Sequence, residues 1–70
     1  MSTLASMFKA IEFIENNLKR EITVADIADA VCYSLYHFCR TFNGAVHHTP
    51  YDYLMRRRLS DAARALVETL

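Results

Sequence analysis

The chain has 70 residues, 53% of them hydrophobic, and eight basic side chains balance eight acidic ones. This is one small domain with enough apolar material to fold, which excludes a disordered tail and argues against a uniformly basic nucleic-acid binder. No run approaches the roughly 20 apolar residues of a membrane span, and the start, "MSTLASMFKAIEF", lacks the basic opening and unbroken apolar stretch of a signal peptide. We therefore expect a cytoplasmic protein with no membrane contact.

One glycine and one proline in the whole chain point to helices joined by short turns, and no segment alternates like a strand. The first helix is expected over about residues 3–18, with Leu4, Met7, Phe8, Ile11, Ile14 and Leu18 as its apolar stripe. After "KREI", Thr23 is a good N-cap and Asp26 stands three residues on, as in a capping box. A short second helix follows, about 24–31, burying Val24, Ile27, Ala28 and Val31. A turn of only Cys32 and Tyr33 precedes Ser34, which caps a third helix of about 34–45. Two short helices joined so tightly cross steeply, the helix-turn-helix arrangement. Thr49 caps a fourth helix, about 50–68, with Pro50 at its first position and Asp52 in its first turn. Tyr51, Met55, Leu59, Ala62 and Leu66 are expected to form its main stripe, with Tyr53 and Leu54 on another side. Such a helix wants neighbours on both sides.

Charge is unevenly distributed. Residues 1–33 carry three basic against five acidic side chains, whereas residues 34–70 carry five arginines against three carboxylates and all three histidines. An anionic partner for the second half follows, because arginine grips phosphate and guanine edges with a fork that lysine lacks. In the third helix, "SLYHFCRTF", Leu35, Phe38 and Phe42 mark the inner side, while Tyr36, His37 and Arg40 lie opposite. That outer face is left clear to enter a DNA major groove.

These residues resemble a family. "ITVADIADAVCYSLYHFCRTF" followed by "HHTPYDYLMRRRLSDAARAL" is similar to the DNA-binding domain of AraC/XylS-type transcription regulators, above all the short multidrug- and superoxide-response activators. The matching features are Ile27-Ala28, Tyr33-Ser34, Phe38, Arg40, Phe42, Thr49-Pro50, Tyr53-Leu54, Arg58-Leu59 and Ala62, in order and spacing. The resemblance implies an all-α fold: a three-helix helix-turn-helix subdomain followed by a long linker helix. The family's unit has two such halves. Only the first half and the linker helix are expected here, as a fragment of a longer regulator or a truncated product. The family usually has glycine where this chain has Cys32 and His47, positions that often want positive φ. Asn43-Gly44 offers the third helix an earlier end, which would relieve the second of these.

The resemblance implies base reading by Tyr36, Cys39 and Arg40, and by residue type Arg40 suits guanine O6 and N7. Cys39 is a poor reader, since its thiol is a weak donor. Asn43, one turn later on the same face, is a further candidate for an adenine or a phosphate. Phosphate contacts are expected at the helix N-termini marked by Thr23 and Ser34 and from Arg57, with Arg56 beside it. The resemblance gives Arg58 a structural role, and His37 is expected to be a surface or packing residue. The Cys32, Cys39, His37, His47 and His48 spacing matches no zinc pattern, and no cleft or oxyanion-stabilising loop accompanies a Cys–His pair. We expect no metal, no cofactor and no enzyme. The expected function is sequence-specific duplex DNA binding within an AraC-type regulator, with RNA polymerase a partner by resemblance. The alternative is a protein-interaction or self-association module working through Leu59, Leu66, Val67 and Leu70 of the fourth helix.

Overall fold

Every helix in this chain starts on a hydroxyl. The structure, a computed structural model, describes residues 2–69. They form α1 (Thr3–Asn16), α2 (Val24–Ala30), α3 (Leu35–Val46) and α4 (Pro50–Glu68), and among the described residues there is no strand. Ser2, Thr23, Ser34 and Thr49 each sit in extended backbone, and each side chain accepts a hydrogen bond from the N–H three residues on. At Thr23 the box closes fully: Asp26 Oδ2 accepts from the Thr23 N–H at 2.8 Å. Each such cap stabilises its helix by roughly 1 kcal/mol.

The helix ends are set by contacts the sequence does not announce. α1 stops at Asn16, two residues short of the expected Leu18, because Asn17 leaves helical geometry and its amide donates back to the Phe13 carbonyl at 2.7 Å. α2 ends in a Schellman motif: Tyr33 N–H bonds to Ala28 O and Cys32 N–H to Asp29 O. Cys32 holds the left-handed position there, at φ 61°. α3 does not end at Asn43-Gly44. It runs through Gly44 to Val46, and His47 takes the left-handed position at φ 64°. The expected early exit is thus corrected: Gly44 is spent on a helical turn, and a β-carbon-bearing residue carries the reversal instead.

The core draws on all four helices. Met7, Ala10 and Ile14 of α1 meet Ile27 and Ala28 of α2, Val31 of the turn, Phe38 and Phe42 of α3, and Leu54 of α4. Phe38 and Phe42 are fully buried with ring centroids 5.5 Å apart, and Tyr53 packs edge-on against Phe42 at 5.5 Å. On α1, Leu4 and Phe8 are exposed rather than buried, because α2 and α3 cover only the side carrying Met7, Ala10 and Ile14. Leu35 is half exposed and stands at the edge of the core instead of inside it.

The largest correction concerns α4. Pro50 and Leu54 are buried and Tyr53 packs on the core, while Tyr51, Leu59 and Leu66 of the expected main stripe face outward. Of that stripe only Met55 touches the core cluster. The first half of α4 therefore docks. Beyond Leu59 the described residues are exposed except for Asp61.

α4 begins on a charged knot. Asp52 Oδ2 accepts from Arg56 Nε at 2.8 Å and lies 3.1 Å from His48 Nδ1. The Arg56 hydrogen bond, against some desolvation, holds the Asp52 carboxyl below its ordinary pKa. The carboxylate stays charged where the helix dipole favours it.

Two outcomes follow from this arrangement. Leu54→Ala should cost about 2–5 kcal/mol by urea unfolding, whereas Leu59→Ala, on the exposed side, should stay within about 0.5 kcal/mol. Gly44→Ala, with open space around the new methyl, and His47→Gly, which relieves positive φ, should each stabilise by about 1 kcal/mol. Equal costs for both leucines, or a loss at either of the other two positions, would contradict the packing described.

Candidate nucleic-acid interface

The burial of Phe38 and Phe42 decides which flank of α3 is outward. Tyr36, Arg40 and Asn43 are exposed on that flank and Cys39 is half-buried beside them. All four line one shallow groove, whose other wall is built by Val24 at the start of α2 and by Thr49, Pro50 and Tyr51 at the start of α4. The four residues expected to read bases are thus brought together on one surface. The surface has two characters: an apolar wall at Leu35 and Cys39, and a polar ridge at Tyr36 and Arg40. Along the ridge, Arg40 Nη1 donates to Tyr36 Oη at 3.3 Å, and its guanidinium carbon lies 5.8 Å from the Tyr36 ring centroid.

The opposite flank of the ridge carries a second hollow, formed by Tyr36, His37, Arg40 and Thr41. His37 is not loose there. Its ring stacks on Tyr33 at 4.6 Å with planes 10° apart, tying the first turn of α3 to the turn before it. The i, i+4 spacing of Tyr33 and His37 is the sequence signal for this stack, although Tyr33 lies outside the helix.

The two helix N-termini differ electrostatically. At α2 the Thr23 N–H is already bonded to the Asp26 carboxylate, so a negative charge occupies the positive end of the helix. At α3, Ser34 Oγ accepts from the His37 N–H at 3.2 Å and the first turn holds no acidic residue. The Ser34 hydroxyl hydrogen is left to donate, and the dipole end is not neutralised.

The arginine run 56–58 divides into three separate jobs. Arg56 is the most exposed of them and bonds Asp52 within α4. Arg57 grips Glu15 of α1 with Nε at 2.8 Å and Nη2 at 2.7 Å, a contact that raises its pKa further. Arg58 reaches across the chain to the carbonyls of Leu18 and Arg20, satisfying backbone oxygens past the end of α1. Arg57 therefore belongs to the joint between α1 and α4, and a phosphate there competes with a bidentate carboxylate. The cause is the reversal of α4: a residue opposite the Tyr51–Leu59–Leu66 stripe faces the body of the domain once that stripe faces solvent. Among the described residues no helix is long and apolar enough to cross a membrane.

Comparison with known proteins agrees with this geometry. Residues 14–43, which span the end of α1, all of α2 and most of α3, match the family described as bacterial regulatory helix-turn-helix proteins, AraC family. An uncharacterized HTH-type transcriptional regulator of Bacillus subtilis (strain 168), YbfP, is 38% identical over 61 residues. That alignment covers 87% of this chain and 21% of the relative, so the chain spans about a fifth of the length of the regulator it matches. No solved structure matches the chain. The capped α2–turn–α3 unit and both sequence matches lead to one conclusion: residues 14–43 form a helix-turn-helix unit of the AraC family of bacterial regulatory helix-turn-helix proteins.

Proposed function

We propose that this chain binds duplex DNA sequence-specifically, as a DNA-binding part of an AraC-type transcription regulator, with α3 in the major groove. One observation carries the reading: α3 buries Phe38 and Phe42 completely while presenting Tyr36, Arg40 and Asn43 to solvent on the opposite flank. A 12-residue helix is about 18 Å long, and a major groove about 12 Å wide accepts it. Arg40 supplies the fork for guanine O6 and N7. Asn43, exposed one turn on, suits an adenine edge or a phosphate. Cys39 contributes an apolar surface rather than a hydrogen bond, which suits a thymine methyl better than a polar edge.

Phosphate anchoring is distributed among weaker partners. Ser34 at the open N-terminus of α3 is the strongest of them, because nothing acidic opposes an anion there. Thr23 is weaker, since Asp26 fills the same position on α2. Arg56 can exchange Asp52 for a phosphate at small cost, because solvent screens an exposed ion pair. Arg57 would have to give up Glu15. The supply of phosphate partners is thus small, and the proposed affinity is modest, in the range of roughly 10⁻⁴–10⁻⁶ M for duplex of arbitrary sequence at physiological salt.

Titration of a labelled duplex at two salt concentrations tests this reading. With two or three phosphates neutralised, log K should fall against log salt with a slope of about −2 to −3. Arg40→Ala should lower discrimination between the preferred and a mismatched duplex by about 5- to 150-fold, the equivalent of about 1–3 kcal/mol. Affinity indifferent to both salt and Arg40 would remove the DNA-binding reading.

A second reading is favoured by one specific observation. Tyr51, Leu59, Leu66 and Val67 are all exposed on α4, and an apolar stripe of this kind suits contact with another helix, including that of a second copy. Leu70, part of the expected surface, lies outside the described residues. Sedimentation equilibrium should show concentration-dependent association that Leu59→Glu abolishes. A monomer at every concentration would exclude self-association while leaving DNA binding intact.

A further inference from the structure

We propose that Tyr36 is a positioning residue for Arg40: its phenol holds the guanidinium in the orientation that a guanine edge requires. Base selectivity then depends on a hydroxyl that need not touch a base. The inference rests on the DNA-binding reading above.

Three observations carry it. First, Arg40 meets Tyr36 at the hydroxyl end of its ring, through an Nη1–Oη hydrogen bond of 3.3 Å that leaves the guanidinium carbon 5.8 Å from the ring centroid. The bond restricts a side chain that is otherwise among the most mobile. Second, the bond uses Nη1 and leaves Nε and Nη2 without a partner among the described residues. Those are the two donors with which Arg57 grips Glu15, and with which Arg58 grips Leu18 and Arg20. The phenol thus occupies the corner that forked binding does not need. Third, Arg56, Arg57 and Arg64 are each paired with a carboxylate, whereas Arg40 leans on a neutral group and keeps its charge uncompensated. A prop that neither neutralises nor blocks the fork lowers the ordering cost of binding without competing for it.

The experiment starts from duplexes with a randomised central segment, selected on the wild-type chain. Binding of the selected duplex is compared with versions in which each G·C pair is replaced by A·T, using wild type, Tyr36→Phe, Arg40→Ala and the double variant. We expect one guanine whose replacement weakens wild type and has no effect on Arg40→Ala. Tyr36→Phe keeps the ring and, at an exposed position, keeps the fold. It should reduce the preference for that guanine about 2- to 10-fold, the effect of one hydrogen bond. In the Arg40→Ala background the same change should do nothing. Unchanged selectivity in Tyr36→Phe overturns the proposal, and so does an equal loss with and without Arg40, which would make Tyr36 an independent contact. If wild type selects no sequence, the DNA-binding reading fails and this inference with it. A readout free of DNA is the proton spectrum of the unbound chain. The guanidinium proton signals of Arg40 should differ between wild type and Tyr36→Phe, which lacks the bonded hydroxyl. Identical signals in the two would sink the proposal whatever the DNA measurements show.

Discussion

The burial of Phe38 and Phe42 is the constraint from which the rest of the structure follows. Two aromatic rings one turn apart on α3 lie at zero exposure, wedged among Ile14, Ile27 and Leu54 and closed by the edge of Tyr53. Each buried aromatic contributes on the order of 1.5–3 kcal/mol, while a core of this size yields a net stability of only about 3–5 kcal/mol. The rotation of α3 about its own axis is therefore not free. Turning the helix to hide Arg40 would expose both rings and cost as much as the domain has. The outward flank is a by-product of the inward one.

The same economy explains the arginines. A small domain has few carboxylates to share, and the first half of the chain holds the surplus. Glu15 draws Arg57 toward α1, and the unsatisfied carbonyls beyond the end of α1 draw Arg58. Together these contacts strap the first half of α4 across the end of α1, where apolar packing is thin. Arg40 faces no carboxylate and remains available. Charge that could have formed one diffuse basic face is divided between architecture and a single outward fork.

Two left-handed residues bracket α3 and fix its ends. Cys32 at φ 61° closes the Schellman motif of α2, and His47 at φ 64° reverses the chain after Val46. Glycine would adopt either geometry without strain. That these positions tolerate a β-carbon shows how strongly the helices on each side dictate the turn. The reversal at His47 sets Thr49, Pro50 and Tyr51 beside Cys39 and Asn43, and so builds the second wall of the groove.

The sequence by itself determined the local order of this protein. The hydroxyl caps Thr23, Ser34 and Thr49, a paucity of glycine and proline, and the helical spacing of Phe38 and Phe42 are short-range features, and with the apolar periodicity of α1 they suffice for four helices and for the outward flank of α3, although the Ser2 cap of α1 emerged only from the structure. The capping box at Thr23 and Asp26 was legible for the same reason, since both partners lie within one turn. Tertiary structure alone decided α4. Its residues offer two apolar sides, and the periodicity that defines each cannot rank them. Packing on α3 and the joint to α1 rank them, through Tyr53 against Phe42, Leu54 in the core and Arg57 on Glu15, and the longer stripe turns to solvent. The same choice seats Arg57, an expected phosphate partner, against Glu15. Leu4 and Phe8 stayed exposed for a related reason, because the extent of a buried face depends on how much surface the neighbouring helices have to cover it with. Which residues make a helix is a question of a few consecutive positions; which side of it is inside is a question of what stands opposite.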